Sequence, residues 1–281
     1  MFSIVGILIV FGAVVGGYLM EHGNLKVLLQ PAELIIIAGA GMGTVLIANP
    51  PEVLKGILGG IGAVFGGSKF STSKYLETLK QMYDVMQAAR KKGLNELEND
   101  VENPEKSELF GKWDHHLRDF VCDTLRMAMT GGPTPFELDQ MMEADMEVHH
   151  HDSQQPVAAL NTVADSLPGL GIVAAVLGVV ITMGALGGPP EEIGHKVAAA
   201  LVGTFLGILL CYGLLGPMAA KMGKAAEDEG HFYHVIRSVL IAFLKGSSPL
   251  VAIEFGRRAV PHPVRPSYKD LESTVRGKAA A

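Results

Sequence analysis

The sequence predicts an all-α fold: a four-span helical membrane protein with a helical cytoplasmic domain between spans two and three, and a cytoplasmic C-terminal helix and tail. Three observations predict it. Residues 1–20, 34–51, 166–190 and 197–220 are uncharged apolar runs, each within the roughly 17 to 25 residues that a helical span uses. The polar stretch 52–165 shows helical periodicity. Of the 23 Lys and Arg, only Lys26 and Lys196 lie in the short loops after the first and third runs. Basic residues beside a span are retained on the cytoplasmic side, so both termini are expected there.

The expected domains are 1–51 (first two spans), 52–165 (helical cytoplasmic domain), 166–220 (last two spans) and 221–281 (helix and tail). The first run lacks a basic leader and a small-residue cleavage pattern, so a retained span is expected. Within the runs, Gly12/Gly16, Gly39/Gly43 and Gly203/Gly207 are spaced four apart, the pattern that lets helix backbones approach closely, within one subunit or between copies. Cys122 and Cys211 fall in cytosol and lipid on this topology, and no disulfide is expected. The net charge of −6 mixes both signs and presents no basic face for nucleic acid.

In the middle segment, Ser71 to Ser73 offer N-caps to a helix that Gly93 stops, with Tyr75, Leu79, Met82 and Met86 on its apolar face. A short helix over 94–101 ends before Pro104. A third is predicted over 107–129. Thr134, Pro135 and Glu137 then form a capping box, opening a helix that runs into the third span, with Pro156 placed to bend it. Residues 221–244 continue the fourth span as a helix stopped by Gly246. The Pro-rich tail reads as irregular, apart from a short helix over 268–275.

Phosphate-binding loops, zinc-protease helices and nucleophile elbows are missing from the chain, so no enzyme is expected and an ATP-driven machine is disfavoured. His149 to His151 with Asp152, and His115 with His116, read as surface polar residues, because adjacent helical positions diverge. No charged residue lies mid-span; Glu33, Asp165 and Lys196 sit at the ends of the runs. An ion-conducting assembly of this chain therefore needs a carrier from a partner. Asp165, Ser166 and Pro168 at the start of the third run have a plain reading as a helix cap. Pro217 removes a backbone bond from a continuing helix.

The segments GGYLM (16–20), QPAELIIIAGAGMGT (30–44), ENPEKSELF (102–110), DSLPGLGIVAAVLGVV (165–180), LVGTFLGILLCYG (201–213), AIEFGRR (252–258) and RPSY (265–268) closely resemble the MotA family of flagellar motor stator proteins. The resemblance covers most of the chain in order; residues 111–132 align poorly and carry no transferred role. It implies a subunit of the bacterial inner membrane, five copies surrounding two of a MotB-type partner. That partner brings the proton-accepting Asp and a peptidoglycan-gripping domain. Ion flow would then act through this subunit on FliG in the rotor, with no cofactor beyond the coupling proton.

Residue by residue, the resemblance places the rotor-contacting charges on Arg90 and Glu98, which otherwise read as solvated charges, with Lys91, Lys92 and Glu96 beside them. It places the functional prolines on Pro168 and Pro217, with Asp165 part of the same motif. Sodium-driven relatives carry a Thr where this chain has Ala175, paired with a Thr at Thr204. Losing the first hydroxyl removes an oxygen ligand that a hard cation needs, so protons are the expected ion. Thr204 has a plain alternative as a hydroxyl bonded to its own helix. The rival is an ExbB- or TolQ-type energiser, which has three spans and an outside N-terminus.

Overall fold

The computed structural model describes residues 2–184 and 186–276. The described residues form helices joined by turns and short loops, with no strand, and four helical stretches are long and apolar enough to cross a membrane. They divide into two compact units: residues 1–67 with 152–225, and residues 68–151 with 226–281.

The first unit contains α1 (Phe2–Met20), α2 (Leu25–Leu28), α3 (Pro31–Ala48) and α4 (Pro51–Val64), together with the later part of α8 (Pro135–Met183), α9 (Pro190–Leu210) and the start of α10 (Gly216–Leu244). Helix α1 is apolar on every side and none of its residues is buried. Such a helix satisfies its backbone internally and suits a hydrocarbon surround. Small residues hold α8 and α9 together. A Cβ at Gly171 would stand 2.7 Å from the Gly203 carbonyl and 3.2 Å from the Gly207 Cα, so the two backbones meet nearly directly. Of the three glycine pairs, only Gly203/Gly207 is used this way inside the chain. Gly12, Gly16, Gly39 and Gly43 face open space.

Val53, Ile57, Val157, Leu160, Ala219 and Met222 bury together where α4, α8 and α10 meet. Gly56 leaves room there for the Pro156 ring, whose Cγ lies 2.5 Å from where a Cβ would be. The Lys221 ammonium donates to Ser3 Oγ and to the Val64 carbonyl, both at 2.7 Å. It thereby satisfies an end carbonyl of α4 that has no helical partner.

The second unit contains α5 (Thr72–Lys92), a 3₁₀ turn (Leu94–Leu97), α6 (Glu98–Glu102), α7 (His115–Met129), the start of α8, the end of α10, α11 (Pro249–Ala259) and α12 (Tyr268–Arg276). Tyr75, Leu79, Met82 and Met86 recur every three or four residues and bury against Val121, Leu125, Ile236, Val239, Leu240, Ile253 and Leu271. The predicted caps form. Ser71 Oγ accepts from the Lys74 amide, Glu137 accepts from the Thr134 amide at 2.7 Å, and Thr134 Oγ1 accepts from the Glu137 amide.

Two predictions of local structure are corrected. Residues 107–114 are turns, and α7 begins only after Asp114, whose carboxylate accepts from the His116 amide at 3.2 Å. The preceding turn folds on itself at Gly111, where a Cβ would fall 2.7 Å from the Ser107 carbonyl, and it buries Phe110 and Trp113 edge-to-face. Residues 249–259 are a helix and not an irregular tail. Pro249 occupies the first helical position and Ser248 caps it, a setting in which proline starts a helix.

Candidate functional site

Helix α8 is continuous from Pro135 to Met183 with Pro156 and Pro168 inside it. No helix start therefore exists at residue 165 for Asp165 or Ser166 to cap, which overturns the plain reading of that cluster. Ser166 Oγ instead donates to the Val163 carbonyl at 2.7 Å, and Asp165 is exposed. Pro168, half-buried, sits where an interior proline costs about 3 kcal/mol and leaves the carbonyl four residues earlier without its amide. Immediately before it, the Leu167 carbonyl lies where a Cβ on Gly207 would be, so the backbone beside the proline rests on α9.

Pro217 is accommodated differently. The helix widens to a π turn over Cys211–Leu215, and the Gly216 amide bonds to the Cys211 carbonyl five residues back. Such π turns inside α-helices are frequent at functional positions. Pro217 is exposed, while Met218 and Ala219 are buried.

Ala175 and Thr204 belong to the same α8–α9 seam. A Cβ on Gly203 would fall 3.3 Å from the Ala175 amide nitrogen, and one on Gly171 would fall 3.3 Å from the Thr204 Cα. Ala175 brings only a methyl group. Thr44, Thr162 and Thr182 each donate to a carbonyl of their own helix; among the described residues the Thr204 hydroxyl makes no such bond. The plain reading of Thr204 as a self-bonded helix hydroxyl is therefore not what the structure holds.

The second unit carries the other pair. Arg90 lies in the last turn of α5 and Glu98 in the first turn of α6. Each sign suits its helix end. Gly93 between them has φ +96° and makes the break. Arg90, Lys91, Lys92, Glu96 and Glu98 are all exposed, and among the described residues none of these five forms an ion pair. The charges are displayed and are not consumed in holding the fold.

Near the C-terminus, Glu254 accepts from Arg257 twice at 2.7 Å and from Arg258 at 2.8 Å. These bonds hold its carboxyl down at about 2. Arg257 also donates to the Pro266 carbonyl and Arg265 to the Val260 carbonyl. The AIEFGRR and RPSY segments thus tie down the tail. Cys122 is buried in the second unit, where desolvation pushes its thiol up to about 12; it is an inert core residue.

Sequence reasoning missed one residue. Glu33 was placed at the edge of an apolar run, yet it is buried inside the first unit, 8% exposed, and the apolar helical stretch around it extends over Leu25–Ala48. The available signal was the apolar run 27–29 on its other side.

Residues 4–93 match the family model for the motility protein A N-terminal region, and residues 112–233 match that of the MotA/TolQ/ExbB proton channel family. Motility protein A of Escherichia coli is 40% identical over 98% of this chain and 95% of its own length. The LafT chemotaxis protein of Vibrio parahaemolyticus is 35% identical over 95% of each chain. In fold, the chain resembles a chain of the C. jejuni MotAB structure, with a TM-score of 0.76 at 19% identity, covering 95% of this chain and 98% of that one. It also resembles one of the Bacillus subtilis flagellar MotAB stator complex, with a TM-score of 0.71 at 24% identity, covering 89% and 92%. The full-length relationship and the four apolar helices agree, and the chain belongs to the motility protein A family of the MotA/TolQ/ExbB proton channel proteins.

Proposed function

We propose that this chain is the stator subunit of a bacterial flagellar motor, forming with a MotB-type partner a proton-conducting complex that converts ion flow into torque on FliG in the rotor. The observation that carries the reading is the full-length relationship to motility protein A. Five copies would surround two partner helices in the cytoplasmic membrane. Both termini would lie inside, a reading that the placement of Lys and Arg supports. Helix α1, none of whose residues is buried, and the exposed apolar residues of α3 and α8, among them Ile35, Met42, Ile172, Val176 and Val180, supply faces for lipid, partner helices and neighbouring copies.

One charge crossing the membrane supplies about 2.3 kcal/mol per 100 mV. That is enough to shift a two-state packing equilibrium, and the proline-weakened α8–α9–α10 backbone is the element whose packing would shift. Ala175 offers no side-chain oxygen to a sodium ion, which favours protons. An ExbB- or TolQ-type role fits less well, because the chain has four apolar helices and matches the motility protein A N-terminal model.

Complementation tests the reading. Expressed with a single-span MotB-type partner, the chain should restore swimming to a strain lacking its own stator proteins. Membrane assembly of both proteins without any motor rotation would refute it.

A further inference from the structure

We propose that Glu33 is a proton-binding station within the apolar helical unit, holding the coupling proton beside the Ala175–Thr204 seam before it passes to the partner's carboxylate. This rests on the stator reading.

The geometry is that of a built recess. Glu33 Oε2 is enclosed and has no hydrogen-bond partner among the described residues. It lies 2.6 Å from where a Cβ on Gly203 would stand, and Oε1 lies 3.5 Å from where one on Gly178 would stand. Glycines on α8 and α9 thus leave space for the carboxyl, and Ala174 and Ala200 line the same positions. The point at Gly203 that touches Oε2 also touches the Ala175 amide nitrogen, so the carboxyl shares the seam already described. A first-turn glutamate serving only the α3 dipole has no need to enter this recess.

Among the described residues no cation forms an ion pair with it. On α8 the ionisable group nearest in sequence is Asp165, exposed and thirteen residues before Gly178. On α9 they are Glu191, Glu192, His195 and Lys196, and the Lys196 ammonium is paired with Glu192 at 2.9 Å. On α2, Lys26 is exposed. A buried carboxylate without a partner needs a cation, and a proton-driven complex supplies one. Uptake forms an O–H bond at Glu33 and neutralises it. Release breaks that bond, regenerates the carboxylate and passes H⁺ to a carboxylate on the partner's membrane helix, with no change in oxidation state.

The position also suits entry. Gly178 is ten residues beyond Pro168 on α8, about 15 Å along the helix axis, towards the end joined to α9. On the proposed topology that end faces outward, so the proton would meet Glu33 before it reaches the level of the prolines.

Motor rotation at varied external pH, with the full chain and its partner in a stator-deficient strain, tests the assignment. Glu33→Gln should assemble normally, lower ion flux roughly tenfold or more, the scale on which removing a proton-transfer group acts, and flatten the pH profile. Glu33→Asp should keep rotation with a displaced profile. Wild-type flux and profile in assembled Glu33→Gln would overturn the proposal. So would failure of both variants to assemble, which would make Glu33 a packing residue. If only Glu33→Gln fails to assemble, a displaced Glu33→Asp profile supports the station and an unmoved one rejects it. A wild-type chain that turns no motor would defeat the stator reading itself, separately from Glu33.

Discussion

Arg90 closes α5 and Glu98 opens α6, with Gly93 at φ +96° between them, and both side chains stand exposed without an intramolecular ion pair. Exposed charges of this kind add little to folding, under about 1 kcal/mol each. Charge reversal, as Arg90→Glu or Glu98→Lys, should therefore leave membrane assembly intact and reduce torque. Restoration by a compensating reversal on FliG would show direct electrostatic contact. Lys91 and Lys92 should soften the Arg90 single variant, so unchanged torque in the double reversal is the outcome that counts against a rotor contact.

Ion choice gives a second prediction. With a methyl group at Ala175, swimming speed at fixed proton-motive force should not vary with sodium concentration. Speed that tracks sodium and vanishes without it would reject proton coupling.

The prolines give a third. Pro168→Ala restores an amide inside continuous α8, and Pro217→Ala restores one beside the π turn. Each should stabilise its helix by up to about 3 kcal/mol. The complex should assemble and resist heat at least as well as wild type, yet generate less torque, because a repaired helix favours one packing over the other. Full torque from both variants would remove them from the mechanism.

Glycine substitutions separate contacts within the chain from contacts outside it. Gly207→Ala drives a methyl group onto the Leu167 carbonyl and should lower the thermal stability of the detergent-solubilised complex by about 1–3 kcal/mol. Gly12→Ala meets nothing within 4 Å in the chain. Its fold should be unaffected, and any loss of assembly from it would locate a face used by another chain.

A fifth prediction concerns pH. Glu254 has a folded-state value near 2, below its ordinary 4.5, first through its hydrogen bonds from Arg257. The stabilisation is present above the unfolded value and is lost as pH falls from about 4.5 towards 2. Melting temperature should drop over that window in wild type. In Glu254→Gln it should start lower at neutral pH and drop less.

The fold was largely legible because its signals are periodic and local. Uncharged runs set the four apolar helices, and Ser71, Gly93 and the Thr134/Glu137 box set boundaries through backbone chemistry. The stretch 107–114 was misread because Gly111 folds the chain by a contact with Ser107 that no periodicity encodes. Pro249 was misread as a breaker because its role depends on whether a helix follows. For the site, sequence singled out Pro168, Pro217, Ala175 and Thr204 through family resemblance. It did not show that Thr204 lacks a self-bond. Glu33 was hidden for a physical reason: its burial depends on the absence of side chains at Gly178 and Gly203, far away in the sequence.

On the stator reading, ion flow through this subunit and its partner becomes rotation. Its most direct test is the speed of single tethered motors, in cells whose only stator proteins are this chain and its partner, as proton-motive force is stepped in sodium-free medium. Speed should rise and fall in proportion to the imposed force and stop when it collapses. An assembled complex whose motors stay still at full proton-motive force, or keep turning after its collapse, would contradict the claim.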